Sequence, residues 1–161
     1  MKIILSLLLC TVFSFAKEFI YFLPKDSAAL QKHIEKLIKT SQSNIDIAMY
    51  NFGHKGFSKL LNKSVKNGVD VSVVFDEKKV KTDKKSRYNY LKEKGVNCFI
   101  ANKKMHIKMA IFDDKTVMIG SLNWSEASFE DNYEIIYITD DKKVVNKSKK
   151  IFIDLKKYSK K

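Results

Sequence analysis

Apolar residues recur along this chain with two different periods, and the order of those periods predicts its architecture. "DSAALQKHIEKLIKT" sets Leu30, Ile34, Leu37 and Ile38 at helical spacing behind Asp26 or Ser27 as a cap. "NIDIAMYNF" then alternates Ile45, Ile47 and Met49 against Asp46, Ala48 and Tyr50, the two-residue period of a strand. In "KGFSKLLNKSVKNG", Phe57, Leu60, Leu61 and Val65 share one helical face, and Asn67-Gly68 supplies the left-handed stop. "VDVSVVF" follows as a second strand, so strand, helix and strand call for parallel pairing through a right-handed crossover.

The next stretch, "EKKVKTDKKS" at residues 77 to 86, is charged and poorly periodic, and is expected to be a mobile surface loop. A short helix through Tyr88 and Leu91 ends at Gly95. "VNCFI", "HIKMAIF", "TVMIG" and "NYEIIYI" are four short strands, with "DDK" as a tight turn between the second and third. Val144, Ser148, Ile151, Phe152 and Leu155 make a packing helix of the segment from Asp141 to Lys157. Helices alternating with strands, then a run of antiparallel strands, predict an α/β fold with a mixed β-sheet sandwiched by helices. No internal repeat, linker or second domain interrupts it.

The first sixteen residues, "MKIILSLLLCTVFSFA", carry one cation, an apolar run and small residues at Ser14 and Ala16. That is the pattern of an export signal cut after Ala16, which leaves residues 17 to 161 as the folded domain in a periplasmic or secreted location. The alternative is an uncleaved N-terminal membrane anchor, lengthened by Phe15, Phe19 and Tyr21.

Charge narrows the partners. The full chain has 31 basic and 18 acidic side chains; removal of residues 1 to 16 takes one lysine and leaves a net charge of +12. Such an excess favours nucleic acid or an anionic membrane surface. Only Arg87 is an arginine, so a solvated lysine-rich surface would give the same count. Cys10 leaves with the signal and Cys98 is then alone, which excludes an intramolecular disulfide. Three histidines without paired ligand spacing give no zinc or two-metal pattern, and no cofactor is implied.

The chemistry concentrates in "MHIKMAIFDDKTVMIGSLNW", residues 105 to 124. On a strand His106 and Lys108 project to the same face, so a neutral imidazole able to attack phosphorus lies beside an ammonium able to hold phosphoryl oxygens. Asp113 has the opposite parity at the strand end and is better placed to brace the scaffold. Ser121 and Asn123 share a second i, i+2 relation after Gly120, and both carry groups that bind phosphate. Shuffled chains of this composition would show H-x-K-x4-D about four times in a hundred, and the added G-S-x-N makes chance a poor account.

These residues resemble the signature of the phospholipase D superfamily, H-x-K-x4-D-x6-G-S-x-N, which His106, Lys108, Asp113, Gly120, Ser121 and Asn123 match at every specified position. Within it the chain is similar to small exported bacterial endonucleases that carry one motif per polypeptide. The resemblance implies a phospholipase D-like domain and metal-independent hydrolysis of DNA, with RNA as a further substrate. One histidine becomes a phosphohistidine, a second protonates the leaving oxygen, and water releases the product. Since one chain has one motif, a homodimer is implied, with Lys108, Ser121 and Asn123 of both subunits around one phosphate. Glu134, in "NYEIIYI", matches the family's acidic residue that fixes the imidazole tautomer; the alternative is an edge-strand glutamate facing water. A phospholipase acting on phosphatidyl headgroups and a DNA-binding or uptake module are the competing functions. His33 and His54 are expected at surface or cap positions, while Trp124, Tyr50, Tyr88 and Tyr90 divide between core and base stacking.

Overall fold

The computed structural model describes residues 16–161; residues 1–15, which carry most of the expected signal, lie outside the described residues. In chain order the elements are β1 (Glu18–Leu23), α1 (Ser27–Thr40), β2 (Asn44–Met49), α2 (Lys55–Lys66), β3 (Asp70–Phe75), α3 (Glu77–Thr82) and α4 (Tyr88–Glu93). They continue as β4 (Asn97–Ala101), β5 (Lys108–Phe112), β6 (Thr116–Gly120), α5 (Glu126–Glu130), β7 (Glu134–Thr139), α6 (Lys142–Lys157) and β8 (Ser159–Lys160). The strands form one sheet in the order β1-β7-β6-β5-β2-β3-β4-β8.

The expected mixed sheet divides at β2, which pairs parallel with β3 on one side and antiparallel with β5 on the other. Strand alternation sends Ile45, Ile47, Val71, Val73, Ala110 and Phe112 into a core shared with Leu30, Ile34 and Leu61 of α1 and α2. The opposite parity, Ala48, Val74, Met109, Ile111 and Val117, packs with Val145 and Phe152 of α6. Helices therefore cover both faces, as the periodicity predicts. Gly68 and Gly95 adopt φ of +85° and +82° past α2 and α4, the left-handed stops expected of them.

Three parts of the sequence reading change. Residues 77 to 86 are not wholly a loop, because Glu77–Thr82 form α3. The Asp76 carboxylate caps it by accepting from Lys79 N, and Glu77 pairs with Lys81 one turn on. Phe19 and Tyr21 lie in β1, antiparallel to β7. Such a strand is set by a partner at the other end of the chain, so no local period announces it. His106 and Ile107 precede β5, which starts at Lys108.

Asp113 has a scaffold position. With Asp114 it forms the β5–β6 turn at φ of 52° and 53°, the left-handed pair that a tight hairpin needs. Its carboxylate accepts from the backbone N–H groups of Gln42, Ser43 and Asn44 and from the Ser43 hydroxyl, at 2.8 to 3.3 Å. Burial works against ionisation, but the Ser43, Gln42 and Asn44 bonds outweigh it and hold the pKa below the ordinary 3.8. Stability from this group is thus present above the unfolded-state pKa and is lost as pH falls through the lower folded value. Asp113→Asn keeps the turn but loses the charge, and is expected to cost about 1–2 kcal/mol at neutral pH. Thermal melts of the two proteins should converge as the pH drops below the ordinary aspartate value; a gap that does not depend on pH contradicts this role.

Candidate active site

His106, Lys108, Ser121 and Asn123 lie at one edge of the sheet, where β2 and β6 end and β5 and β7 begin. His106 is exposed there, on a segment pinned from both sides. Met105 N donates to the buried Asp76 carboxylate at 3.0 Å, and Tyr50 N donates to the Ile107 carbonyl at 2.9 Å. The Tyr50 ring lies 4.5 Å from the His106 ring, centroid to centroid, and so limits where the imidazole can swing.

Lys108 is 7% exposed, and its ammonium reaches the site from the buried start of β5. Nζ lies 3.1 Å from both ring nitrogens of His106 and donates to the His106 carbonyl at 3.0 Å. The i, i+2 relation therefore brings the two together although only Lys108 belongs to the strand. The nearby Lys108 charge, followed by desolvation, lowers the His106 pKa below its ordinary 6.5. Burial in turn lowers the Lys108 pKa, with Glu134 pulling it back up.

Gly120 makes the approach of β7 possible. A Cβ there would lie 2.3 Å from the Ile135 carbonyl oxygen, so only glycine lets the two strands close at this point. Ser121 then sits beside Glu134: its hydroxyl donates to Glu134 Oε2 and accepts from Ile135 N at 3.1 Å. The one hydroxyl proton is spent on Glu134, so in this arrangement Ser121 places the carboxylate before it touches a phosphate. Asn123 Oδ1 accepts from Asn51 N at 3.2 Å, which leaves its Nδ2 group to donate.

Glu134 is 8% exposed on β7, an inner strand between β1 and β6, so it is not a solvated edge residue. Asn132 Nδ2 donates to its second oxygen at 3.2 Å. Both oxygens are thus held, and among the described residues none of its hydrogen bonds goes to His106. Asp113 stands at the opposite end of β5, away from this cluster.

Sequence reasoning missed Asp76 and Asn132. Asp76 followed a strand and preceded what looked like a loop, and a capping carboxylate would have signalled the helix. Asn132 has a local signal, since it lies two residues from Glu134 across a strand start. The other histidines take structural posts. His54 Nδ1 accepts from Phe57 N to cap α2, and His33 Nδ1 hydrogen-bonds the Tyr21 hydroxyl at 2.8 Å. Trp124 and Cys98 are core residues, and burial pushes the Cys98 thiol up to about 12. Among the described residues no cluster of three or more His, Cys, Asp or Glu side chains could hold a metal ion.

Beside His106 runs an apolar groove of about 660 Å³ formed by Ile107, Met109, Ile119, Val144 and Ile151, with Lys143 and Lys147 on its rim. Farther along the edge, Ile20, Phe22, Tyr133 and Ile135 leave 49–83% of their surface exposed on β1, β7 and the turn before β7. Phe22 and Tyr133 stack with centroids 5.8 Å apart.

Known proteins share both the sequence and the fold. The family described as "Cardiolipin synthase, PLD-like domain" matches residues 34–156. Mitochondrial cardiolipin hydrolase of Xenopus laevis is 28% identical over 132 residues, which are 81% of this chain and 62% of that protein. The chain thus spans less than two thirds of that relative's length. NucT from Helicobacter pylori superposes with a TM-score of 0.85 at 26% identity, covering 90% of this chain and 98% of that one. Nuc from Salmonella typhimurium, a phospholipase D family member, has the same fold at a TM-score of 0.82 and 24% identity, over 91% of this chain and 97% of that one. With the family match running from α1 into α6 and His106, Lys108, Ser121 and Asn123 at one edge of the sheet, the chain belongs to the phospholipase D superfamily and carries its PLD-like domain.

Proposed function

We propose that this protein is a metal-independent phosphodiesterase that hydrolyses nucleic acid, DNA foremost, with His106 as nucleophile. The observation that carries this is an exposed imidazole with an ammonium 3.1 Å from both its ring nitrogens, at a cleft edge in a strongly basic chain. A ring nitrogen of His106 attacks phosphorus, the bond to the leaving oxygen breaks, and a second imidazole gives that oxygen its proton. Water then attacks the phosphorus of the phosphohistidine, giving a proton to the second imidazole, and the P–N bond breaks with its electron pair returning to His106. Lys108 and the Asn123 amide take up charge on the phosphoryl oxygens as it grows.

The second imidazole comes from a second copy of this chain. Glu134 is fixed by Ser121 and Asn132 and leaves its own His106 alone, so the imidazole it orients is the partner's. The exposed strip of Ile20, Phe22, Tyr133 and Ile135, which starts at Glu134, is the surface we assign to that contact. Export through residues 1–16, or anchoring by them, would put the enzyme outside the cytoplasm, where polyanionic substrate is met.

A phospholipid substrate is the second reading. The apolar groove beside His106 is shaped for acyl chain with lysines at its rim, and cardiolipin enzymes stand among the relatives.

Purified protein should cleave DNA with undiminished rate in EDTA, and His106→Ala should lower kcat by at least about a thousandfold. Turnover of phospholipid vesicles but not DNA would transfer the assignment to lipid, and DNA binding without turnover would make the protein a binding module. Removing the Lys108 cation stabilises the imidazolium, so Lys108→Met should raise the His106 pKa toward the ordinary 6.5 in an NMR titration. An unchanged or lower value would contradict the contact. Ile135→Glu should shift the solution mass from dimer to monomer by light scattering and reduce turnover in parallel. A fully active monomer would defeat the shared site.

A further inference from the structure

Strands β2, β3 and β4 run parallel, so their carboxyl ends lie along one edge. The residue that follows each of them, Tyr50, Asp76 and Asn102, lines a single cavity of about 290 Å³. Ligands of α/β sheets collect in this position, because strand ends there release loops whose side chains converge. Tyr50 is the wall that the cavity shares with His106, so an occupant lies one aromatic ring away from the reacting phosphate.

The remaining lining sets the chemistry. Lys78, Lys103 and Lys104 are exposed around the cavity and make no ion pair among the described residues. The two carboxylates present are already engaged, Asp76 by the N–H groups of Lys79 and Met105 and Glu77 by Lys81. What is left to meet a ligand is an amide that donates and accepts, a phenol and three free cations. The apolar part of the lining is limited to the Tyr50 ring and Ala101, in contrast to the groove on the other side of His106, which five apolar side chains form. A neutral polar group attached to an anion fits both parts of the lining.

We propose that this cavity is a nucleotide subsite: it holds the nucleoside next to the scissile phosphate, with Asn102 hydrogen-bonding the base or sugar and Lys78, Lys103 and Lys104 holding the outer phosphate. The proposal rests on the nuclease reading of the His106 site and adds to it where the flanking unit sits. The cavity lies on the β3–β4 side of Tyr50, so the strand leaves the reacting centre toward α3.

The test compares an oligodeoxynucleotide with bis(4-nitrophenyl) phosphate, a diester that has no outer phosphate or base, using the full chain. Asn102→Ala and the double variant Lys78→Ala, Lys103→Ala should each lower kcat/KM for the oligonucleotide about tenfold or more, mainly through KM, and leave the small diester within twofold. Lys36→Ala with Lys63→Ala removes the same charge from α1 and α2, away from the cavity, and should leave oligonucleotide KM within twofold. Equal losses on both substrates, no loss on either, or an equal loss in the α1/α2 control would each overturn the subsite. If the wild-type protein cleaves the small diester but not the oligonucleotide, the nuclease reading itself fails, an outcome separable from failure of the subsite alone.

Discussion

Strand β2 pairs with β5, and through that pairing the two halves of the sheet become one object. On its β3 side the chain is a parallel α/β unit, β2-β3-β4, closed by the short antiparallel β8; beyond β5 it is a set of antiparallel strands. The pairing is fastened at both ends. Asp113 gathers the N–H groups that precede β2, and at the other end Tyr50 N holds the Ile107 carbonyl. Loss of register here would carry Lys108 to the other face of the sheet, because side chains alternate with a period of two.

From that seam the geometry of the site follows with little freedom. The segment with His106 is held by backbone bonds to Asp76 and Tyr50, both from the parallel half. Ser121 and Glu134 are held by the close approach of β6 and β7 at Gly120, in the antiparallel half. Each half brings what the other lacks, and the charge of Lys108 lies between them. Preorganisation of this kind matters because groups already in place need not reorganise as charge develops.

Much of this was legible in the sequence, for reasons that differ by element. The amphipathic stripes of α1, α2 and α6, the alternation in β2 and the short apolar run of β3 are local, and the sandwich follows from them directly. The H-x-K and G-S-x-N spacings placed His106, Lys108, Ser121 and Asn123 together, and parity separated Asp113 from them. What was not legible depends on distant partners. β1 exists through β7, α3 depends on the Asp76 cap, and the hydrogen bonds of Glu134 to Ser121 and Asn132 need the tertiary fold. On α6 Ser148 and Phe152 are buried as expected and Val144 and Leu155 pack against the same core, but Val145 is buried as well and Ile151 keeps 40% of its surface exposed. A stripe read from spacing alone fixes the face of a helix only to within about a residue.

Tyr50, Asp76 and Asn102 reach their shared cavity from three separate crossovers, each as the first residue beyond a strand. Asp76 is tied into the fold by two backbone bonds, whereas Asn102 lies exposed on its loop. The collar around the cavity is therefore unequal in its freedom to change: one member cannot vary without disturbing the segment that carries His106, and another can vary almost alone. Change at the cavity has an open route through the loop after β4, while the edge that carries His106 stays under the constraint of the sheet.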